Sequence, residues 1–218
     1  AKCLIFVTPD AQRSMNTFLG ASTELRPSDI SKDFIGRSKI LYLEGYLWDP
    51  PNAKKAFLEA INIAKAADTK VALSLSDAFC VDRYRSEFID LVRMHVDILF
   101  GNETELLSLY QTKNLNEATG LVQDDCEIVA VTRDSRGSIV IENRRAFEIA
   151  AQKIDTVIDT TGAGDLYASG FLYGMTRDMD IRQCGRLGGL AASSIITQFG
   201  ARPEESLMPL IDRVAVSN

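Results

Sequence analysis

The sequence predicts an α/β fold in which helices cover both faces of a mostly parallel sheet. Short apolar runs alternate along the chain with longer segments of helical periodicity, which is the order typical of βαβ units. Polar residues follow the ends of several apolar runs, where the carboxyl edge of a parallel sheet places its ligand sites. No internal repeat or linker interrupts the pattern, so we expect one domain over residues 1–218.

The elements follow one another in a regular order. We expect strands at 3–8, 39–44, 70–75, 96–100, 128–132, 138–142 and 147–150, with a further strand that ends at Asp159. We expect helices at 27–35, 52–67, 83–94, from 103, at 115–121, around 165–175 and at 181–198, and a closing segment at 206–216. Residues 13–20 have a mixed pattern. The helix at 52–67 shows one buried face most clearly, at Phe57, Ala60, Ile61 and Ala64.

Composition limits the classes of function. The chain is 46% hydrophobic and 25% charged, which is ordinary for a globular protein. A net charge of -6 argues against a general surface for nucleic acid or anionic membranes. No apolar run approaches the length of a membrane span, and we recognise no signal peptide. We therefore expect a cytoplasmic protein without nucleic-acid or membrane partners.

Cysteine and histidine usage excludes several kinds of site. The four cysteines are scattered without a Cys-x-x-Cys pair, which favours buried, reduced thiols: Cys3, Cys80, Cys126 and Cys184. His95 is the only histidine, so a histidine-based metal site or a Ser-His-Asp triad is implausible. We expect His95 at a helix end, where a cation suits the helix dipole.

The stretch from Val157 to Asp165 has the composition of an anion-binding turn that opens a helix. A helix N-terminus presents free N–H groups, and Gly162 and Gly164 allow an anion close to the backbone. Asp165 in the first turn has two explanations. It caps or charge-matches the helix, or it is a base aimed at a hydroxyl that attacks a phosphate. The turn lacks the Gly-Lys-Ser/Thr of a Walker A loop, and Tyr167 replaces the third glycine of a dinucleotide fingerprint.

A second candidate site follows the strand expected at 96–100. Asn102 and Glu105 are one helical turn apart, share a face and can hold water around Mg²⁺, which keeps much of its hydration shell. The commoner explanation of this spacing alone is a helix cap with a capping-box acid. Together with the anion-binding turn at 157–165, the spacing favours a role for this pair in holding Mg²⁺ beside a bound phosphate.

The sequence Asp-Thr-Thr-Gly-Ala-Gly-Asp at 159–165 resembles the second signature of the PfkB (ribokinase-like) kinases. Asn102 to Glu105 matches the Asn-x-x-Glu motif of the same family. Thr132 to Gly137 stands where members carry Thr-x-Gly-x-x-Gly, with Asp134 in place of the middle glycine. Residues 198–201, Gln-Phe-Gly-Ala, resemble the closing Gly-Ala element of the family; an ordinary glycine helix cap has the same pattern.

The resemblance implies a three-layer α/β/α sandwich and ATP-dependent phosphorylation of a sugar or nucleoside hydroxyl. It makes Asp165 the catalytic base and forms the anion hole from Gly162, Ala163 and Gly164. Thr132 and Gly137 then lie along the nucleotide, Gly200 and Ala201 lie near the adenine, and Asn102 and Glu105 organise Mg²⁺. Many members also bind a monovalent cation such as K⁺ near the turn, and Asp159 matches its acidic ligand.

Residues 9–17 resemble the Arg-Ser/Thr segment of adenosine kinases and their close sugar-kinase relatives. Arg13 could therefore clamp the transferring phosphoryl group, because a guanidinium offsets charge on its equatorial oxygens. A solvated surface arginine is an equally common explanation. Residues 44–47 and 76–83 also match the adenosine kinase-like branch.

The chain opens inside a strand and without an initiator methionine, so we expect that an N-terminal segment is missing. In the family this part contributes most of the lid and the determinants of substrate choice, and the lids often mediate homodimerisation. A reading of a different class is a catalytically silent nucleotide-binding module, or an inactive fragment. Retention of Asp165 argues against it, because a silent relative has no need for a base in the anion hole.

Overall fold

The computed structural model describes residues 1–215 and divides into two compact units. The first unit comprises Ala1–Phe18, Thr132–Val140 and the chain from Phe147 onward. The second unit comprises Leu19–Val131 and Ile141–Ala146. The single domain expected over residues 1–218 stays a prediction, and the end of the segment expected at 206–216 lies outside the described residues.

The strands form two sheets. They are β1 (Lys2–Val7), β2 (Arg13–Phe18), β3 (Ile40–Glu44), β4 (Lys70–Ser74), β5 (Ile98–Asn102), β6 (Ile128–Thr132), β7 (Ser138–Glu142) and β8 (Arg145–Ile149). β1 pairs with β2, and the other six strands form one sheet in chain order. β4 runs parallel to both β3 and β5, with Ala72 opposite Tyr42 and Ile98. The predicted mostly parallel sheet is confirmed.

The α-helices follow β2, β3, β4, β5 and β8 along the chain. They are α1 (Lys32–Gly36), α2 (Pro51–Ala66), α3 (Ala78–Arg83), α4 (Arg85–His95), α5 (Glu103–Tyr110), α6 (Leu115–Asp125), α7 (Ala163–Met175), α8 (Ile181–Ile195) and α9 (Leu210–Ala215). Pro51 begins α2, where proline has no N–H to lose. The face predicted for α2 is buried as expected. The helix predicted at 83–94 is α4, with a separate short helix, α3, before it.

The core of the second unit lies between its central strands and helices. Val71, Ala72 and Leu73 of β4 are fully buried, as expected for a strand covered on both faces. Trp48 packs edge-on against Phe57 at 5.5 Å between ring centroids and lies 6.1 Å from Phe88. These contacts fix the loop after β3 on α2 and α4.

In the first unit, α7 and α8 pack closely through glycines. A Cβ at Gly170 would lie 2.7 Å from the Leu187 carbonyl oxygen, and one at Gly174 would lie 2.9 Å from the Cys184 Sγ. The absence of a side chain at these two glycines therefore lets α7 and α8 approach closely.

Residues 13–18, which showed a mixed pattern in the sequence, form strand β2. Each residue from Lys2 to Val7 pairs antiparallel with one from Phe18 to Arg13. Residues 13–18 form a strand although their side chains do not alternate between apolar and polar. Backbone hydrogen bonds to β1 hold the strand, and these bonds do not depend on the side-chain pattern. Both strands leave large apolar side chains exposed, among them Leu4, Phe6 and Phe18.

Two expectations are wrong. No strand ends at Asp159: the amides of Ile158 and Asp159 both donate to the Ile196 carbonyl, at 2.8 and 3.4 Å. The segment is therefore bonded to the end of α8, and its backbone groups need no neighbouring strand. Cys3 is exposed rather than buried. The other three cysteines are buried as expected, and none of the four forms a disulfide.

Candidate active site

The turn from Asp159 to Gly162 is held by the carboxylate of Asp159, which is 2% exposed. Its Oδ1 accepts hydrogen bonds from the Thr161 amide at 2.9 Å and from the Thr161 hydroxyl at 2.6 Å. Its Oδ2 accepts one from the Gly200 amide at 2.9 Å. Burial would raise the pKa of Asp159, but these hydrogen bonds outweigh it and lower the pKa. The carboxylate stays ionised and fixes the turn.

Gly162 begins α7 in a conformation that favours glycine. Its φ of 81° lies in the left-handed region. A Cβ there would lie 2.8 Å from the Ala201 Cβ and 3.0 Å from its Cα. The predicted adenine element at Gly200 and Ala201 thus packs directly against the predicted anion-binding turn.

Asp165 and Gly164 lie exposed in the first turn of α7. A Cβ at Gly164 would meet nothing within 4 Å, so the space beside this glycine is open. The Ala163 amide donates to the Thr160 carbonyl at 3.3 Å, and the Leu166 amide donates to the Gly162 carbonyl at 2.9 Å. A helix N-terminus with an accessible carboxylate and open backbone can receive an anion and a hydroxyl together.

Arg13 reaches this turn from β2. Its guanidinium Nη1 donates a hydrogen bond to the Thr160 hydroxyl. Arg13 also helps to lower the pKa of Asp159. Arg13 is exposed, so the structure has a surface arginine whose guanidinium also contacts the turn.

The predicted nucleotide loop, Thr132 to Gly137, is a tight turn in the first unit. The Arg133 amide donates to the Gly137 carbonyl at 2.8 Å, and the Gly137 amide donates to the Asp134 carbonyl at 3.1 Å. Asp134 has a φ of 50°, so the position of the family's middle glycine keeps a left-handed backbone. Gly137 has a φ of 81°, and a Cβ there would lie 2.0 Å from the Ile149 carbonyl oxygen.

Asn102 and Glu105 lie in the second unit and form a complete capping box on α5. The Asn102 amide donates to Glu105 Oε2 at 2.9 Å, and its side-chain Nδ2 donates to Oε1 at 2.8 Å. The Glu105 amide returns a bond to Asn102 Oδ1 at 2.9 Å. The commoner explanation from the sequence is thus present in the structure, and any role toward Mg²⁺ is an addition to it.

Burial raises the pKa of Glu105 to about 7, against the opposing effect of the Asn102 amide. The nearby carboxylate of Asp77 raises it further. Asp77 itself caps α3 by accepting from the Phe79 amide at 2.7 Å. The positions of Asp77 and Glu105 in the sequence give no sign of this link.

Asp49, a further strand-end acid of the second unit, is engaged in an ion pair. Its two carboxylate oxygens lie 2.6 and 2.7 Å from Arg83 Nη1. Burial would raise the pKa of Asp49, but hydrogen bonds from Arg83 and Tyr84 lower it. This pair links the loop after β3 to α3.

The first unit therefore brings together most of the residues predicted for the site. Arg13, Asp159 and the turn of α7 are in direct contact with one another or with the Gly200 and Ala201 element. Across residues 1–215 no group of three or more His, Cys, Asp or Glu side chains is arranged to hold a metal ion. None of the helices in the described part is both long and apolar enough to cross a membrane.

Known proteins are similar to this chain in sequence and in fold. The crystal structure of a probable sugar kinase from Rhizobium etli CFN 42 matches with a TM-score of 0.95 and 48% identity, over 98% of this chain and 65% of that chain. The adenosine kinase from Sinorhizobium meliloti matches with a TM-score of 0.94 and 48% identity, over 97% of this chain and 65% of that chain. These likenesses confirm the predicted three-layer α/β/α fold of the ribokinase type.

A curated relative, the 5-dehydro-2-deoxygluconokinase of Listeria monocytogenes, is 29% identical over 201 residues, which are 89% of this chain and 61% of the relative. The chain thus spans less than two thirds of the length of each of these three proteins. The family model described as pfkB family carbohydrate kinase matches residues 1–207. Because that match covers most of the sequence, the chain belongs to the pfkB family of carbohydrate kinases.

Proposed function

We propose that the whole protein transfers the γ-phosphoryl group of ATP to a hydroxyl of a sugar or nucleoside. The observation that carries the proposal is the exposed carboxylate of Asp165 at the N-terminus of α7, next to the open space at Gly164. A base and an anion site in one helix turn suit a reaction in which a hydroxyl attacks a phosphate. Family membership supports the same activity.

In this mechanism Asp165 accepts the proton as the acceptor oxygen attacks the γ-phosphorus. The bond between that phosphorus and the β,γ-bridging oxygen breaks, and ADP leaves. The N–H groups of Gly162 and Gly164 stabilise the transferring group at the positive end of α7, and the Ala163 N–H joins them when it leaves the Thr160 carbonyl. Arg13 offsets charge on the equatorial oxygens when its guanidinium exchanges Thr160 for the phosphoryl group.

Nucleotide binding is assigned to loops of the first unit. Thr132 and Gly137 contact the nucleotide along the tight turn after β6, and Gly200 and Ala201 border the adenine. What supports this assignment is that Ala201 packs directly against Gly162, so the loop after α8 borders the turn proposed to bind the phosphates.

Mg²⁺ supplies charge neutralisation of the phosphates when it is bound. Asn102 and Glu105 fit an outer role toward it, because both Glu105 oxygens already accept hydrogen bonds and retain lone pairs for water. Asp159 fits a monovalent-cation site less well. Its buried oxygens already accept hydrogen bonds from Thr161 and Gly200, so we assign no step to K⁺.

For the acceptor we propose a nucleoside such as adenosine, with a ribose- or fructose-type sugar as the alternative, because the matched structures at 48% identity include both an adenosine kinase and a probable sugar kinase. The adenosine kinase of Sinorhizobium meliloti is 48% identical to this chain, whereas the Listeria deoxygluconokinase is 29% identical. We further propose a cytoplasmic enzyme without nucleic-acid or membrane partners. A homodimer through the ribbon formed by β1 and β2 is consistent with the exposed Leu4, Phe6 and Phe18.

The test is ADP production by the whole protein across adenosine, ribose, fructose and other sugars, with Mg²⁺ present. We expect ATP-dependent phosphorylation of at least one acceptor, with adenosine preferred. ATP binding without phosphorylation of any acceptor would instead favour a catalytically silent nucleotide-binding module.

A further inference from the structure

A buried hydrogen bond joins Ser138 to Tyr167 in the first unit. The Ser138 Oγ and the Tyr167 phenolic oxygen lie 2.8 Å apart, and either can donate. Ser138 is 2% exposed and Tyr167 is 4% exposed. Burial raises the pKa of Tyr167, so the phenol keeps its proton. In such an enclosed place water cannot replace a missing partner, so each group depends on the other.

Both partners adjoin residues of the proposed site. Ser138 directly follows Gly137, which closes the nucleotide loop. Tyr167 is two residues after Asp165 on α7. Side chains on a helix lean toward its N-terminus, so the Tyr167 side chain leans toward the turn that carries Asp165. One hydrogen bond therefore connects the nucleotide loop to the helix that presents the proposed base.

The Tyr167 ring is held independently of its hydroxyl. A Cβ at Gly188 of α8 would lie 2.8 Å from the Tyr167 carbonyl oxygen and 3.2 Å from ring atoms Cδ2 and Cε2. The ring of Phe171 stacks at 6.3 Å between centroids, with 26° between the ring planes. Because glycine and phenylalanine fix the ring, removal of the hydroxyl alone leaves its packing in place.

We propose that Ser138 and Tyr167 are a positioning pair that fixes the nucleotide loop relative to Asp165. The inference rests on the proposed kinase function. Phosphoryl transfer requires the acceptor oxygen, the γ-phosphorus and the base to be aligned, and small displacements reduce the rate strongly. Neither residue touches substrate in this account. Each acts through the element that it anchors, Ser138 through the loop and Tyr167 through α7.

The experiment compares Tyr167→Phe, Ser138→Ala and the double variant in the whole protein. Tyr173→Phe is the matched control, because Tyr173 lies on the same helix but packs against Leu187, Leu190 and Val214. We measure kcat, the KM for ATP, the KM for the acceptor and the denaturation midpoint. Tyr167→Phe is expected to lower kcat/KM for ATP by about 10-fold, with the KM for the acceptor unchanged.

The double variant separates positioning from stability. Each single variant leaves one buried polar group without its partner, whereas the double variant leaves neither, so the denaturation midpoint should recover. Turnover should not recover, because the link between loop and helix is still absent. Recovery of turnover together with the midpoint would show a merely structural role and overturn the inference.

Nucleotide affinity distinguishes failure of this inference from failure of the proposed function. If the wild-type protein phosphorylates no acceptor, the kinase proposal fails. The variants are then compared by their ATP affinity, measured by calorimetry. Weaker ATP binding in Tyr167→Phe and not in Tyr173→Phe would then support a pair that positions the nucleotide loop. Equal ATP affinity in both variants, or no ATP binding by the wild type, would overturn it.

Discussion

The amide of Gly200 donates a 2.9 Å hydrogen bond to the carboxylate of Asp159, 41 residues earlier in the chain. The other oxygen of that carboxylate is engaged by Thr161. Asp159 thus joins the turn before α7 to the loop after α8. The same two segments meet again where Ala201 packs against Gly162.

Replacement of Asp159 by asparagine should destabilise the fold. Asparagine has one acceptor oxygen, so its NH₂ group would face a Thr161 or Gly200 donor in a buried place. We expect the free energy of unfolding to fall by about 1–3 kcal/mol, measured by urea denaturation. Asp155→Asn is the control, because Asp155 is exposed. Equal stability of the two variants would contradict the role given to Asp159.

The two glycines of the turn should respond differently to alanine. Gly164→Ala meets no atom within 4 Å, so stability should be kept while phosphoryl transfer falls, because the methyl group occupies space proposed for the phosphoryl group. Gly162→Ala should instead lose about 1–3 kcal/mol of stability, since its φ is 81° and Ala201 blocks the Cβ. Calorimetric unfolding and ADP production measure the two effects. A fully active Gly164→Ala protein would argue against an anion at this position.

The buried Glu105 should make stability depend on pH. Its folded pKa is about 7 against an ordinary 4.5, so between these values the folded state keeps a proton that the unfolded chain has lost. The stability that Glu105 contributes to the folded state is fully present below pH 4.5 and is lost as pH rises through 7. The free energy of unfolding therefore falls by up to about 3 kcal/mol over this range.

Urea denaturation without Mg²⁺ at a series of pH values measures this dependence. Glu105→Gln should flatten it over that range, whereas Glu127→Gln, at an exposed position, should leave it unchanged. A wild-type stability that rises with pH over the same range would contradict the raised pKa.

Loss of Arg13 should reduce turnover more than binding. Its guanidinium contacts the Thr160 hydroxyl in the turn and is proposed to clamp the transition state. We expect Arg13→Ala to lower kcat by about 10²-fold or more, and Arg13→Lys to recover little, because lysine lacks the planar fork. Lys2→Ala removes a charge from the far end of the same ribbon and serves as the control. Steady-state kinetics of the three variants decide whether Arg13 acts at the turn.

Parts of the fold were predictable because local pattern and tertiary packing agree. The bounds of β6 and β7 and the buried face of α2 match their predictions. Strand β2 was missed because its pairing with β1, not its side-chain pattern, makes it a strand. The segment that ends at Asp159 was predicted as a strand because an apolar run does not reveal that its amides bond to the end of a helix.

Some features of the candidate site could likewise be predicted from the sequence, and others could not. Motif spacing located Asp165, Gly162 and Gly164 at a helix start, and the structure has them there. The bond from Gly200 to Asp159 and the bond between Ser138 and Tyr167 join residues 41 and 29 positions apart, which spacing cannot reveal. For Asn102 and Glu105 the sequence left two explanations, and the capping box is present.

The most direct test of the account is phosphoryl transfer by Asp165→Asn in the whole protein. The carboxylate is exposed, so the substitution should leave the fold and ATP affinity nearly unchanged. Loss of the base should lower kcat by about 10²- to 10⁴-fold, measured as ADP production at saturating ATP and acceptor. Unchanged turnover in this variant would contradict the assignment of Asp165 as the base.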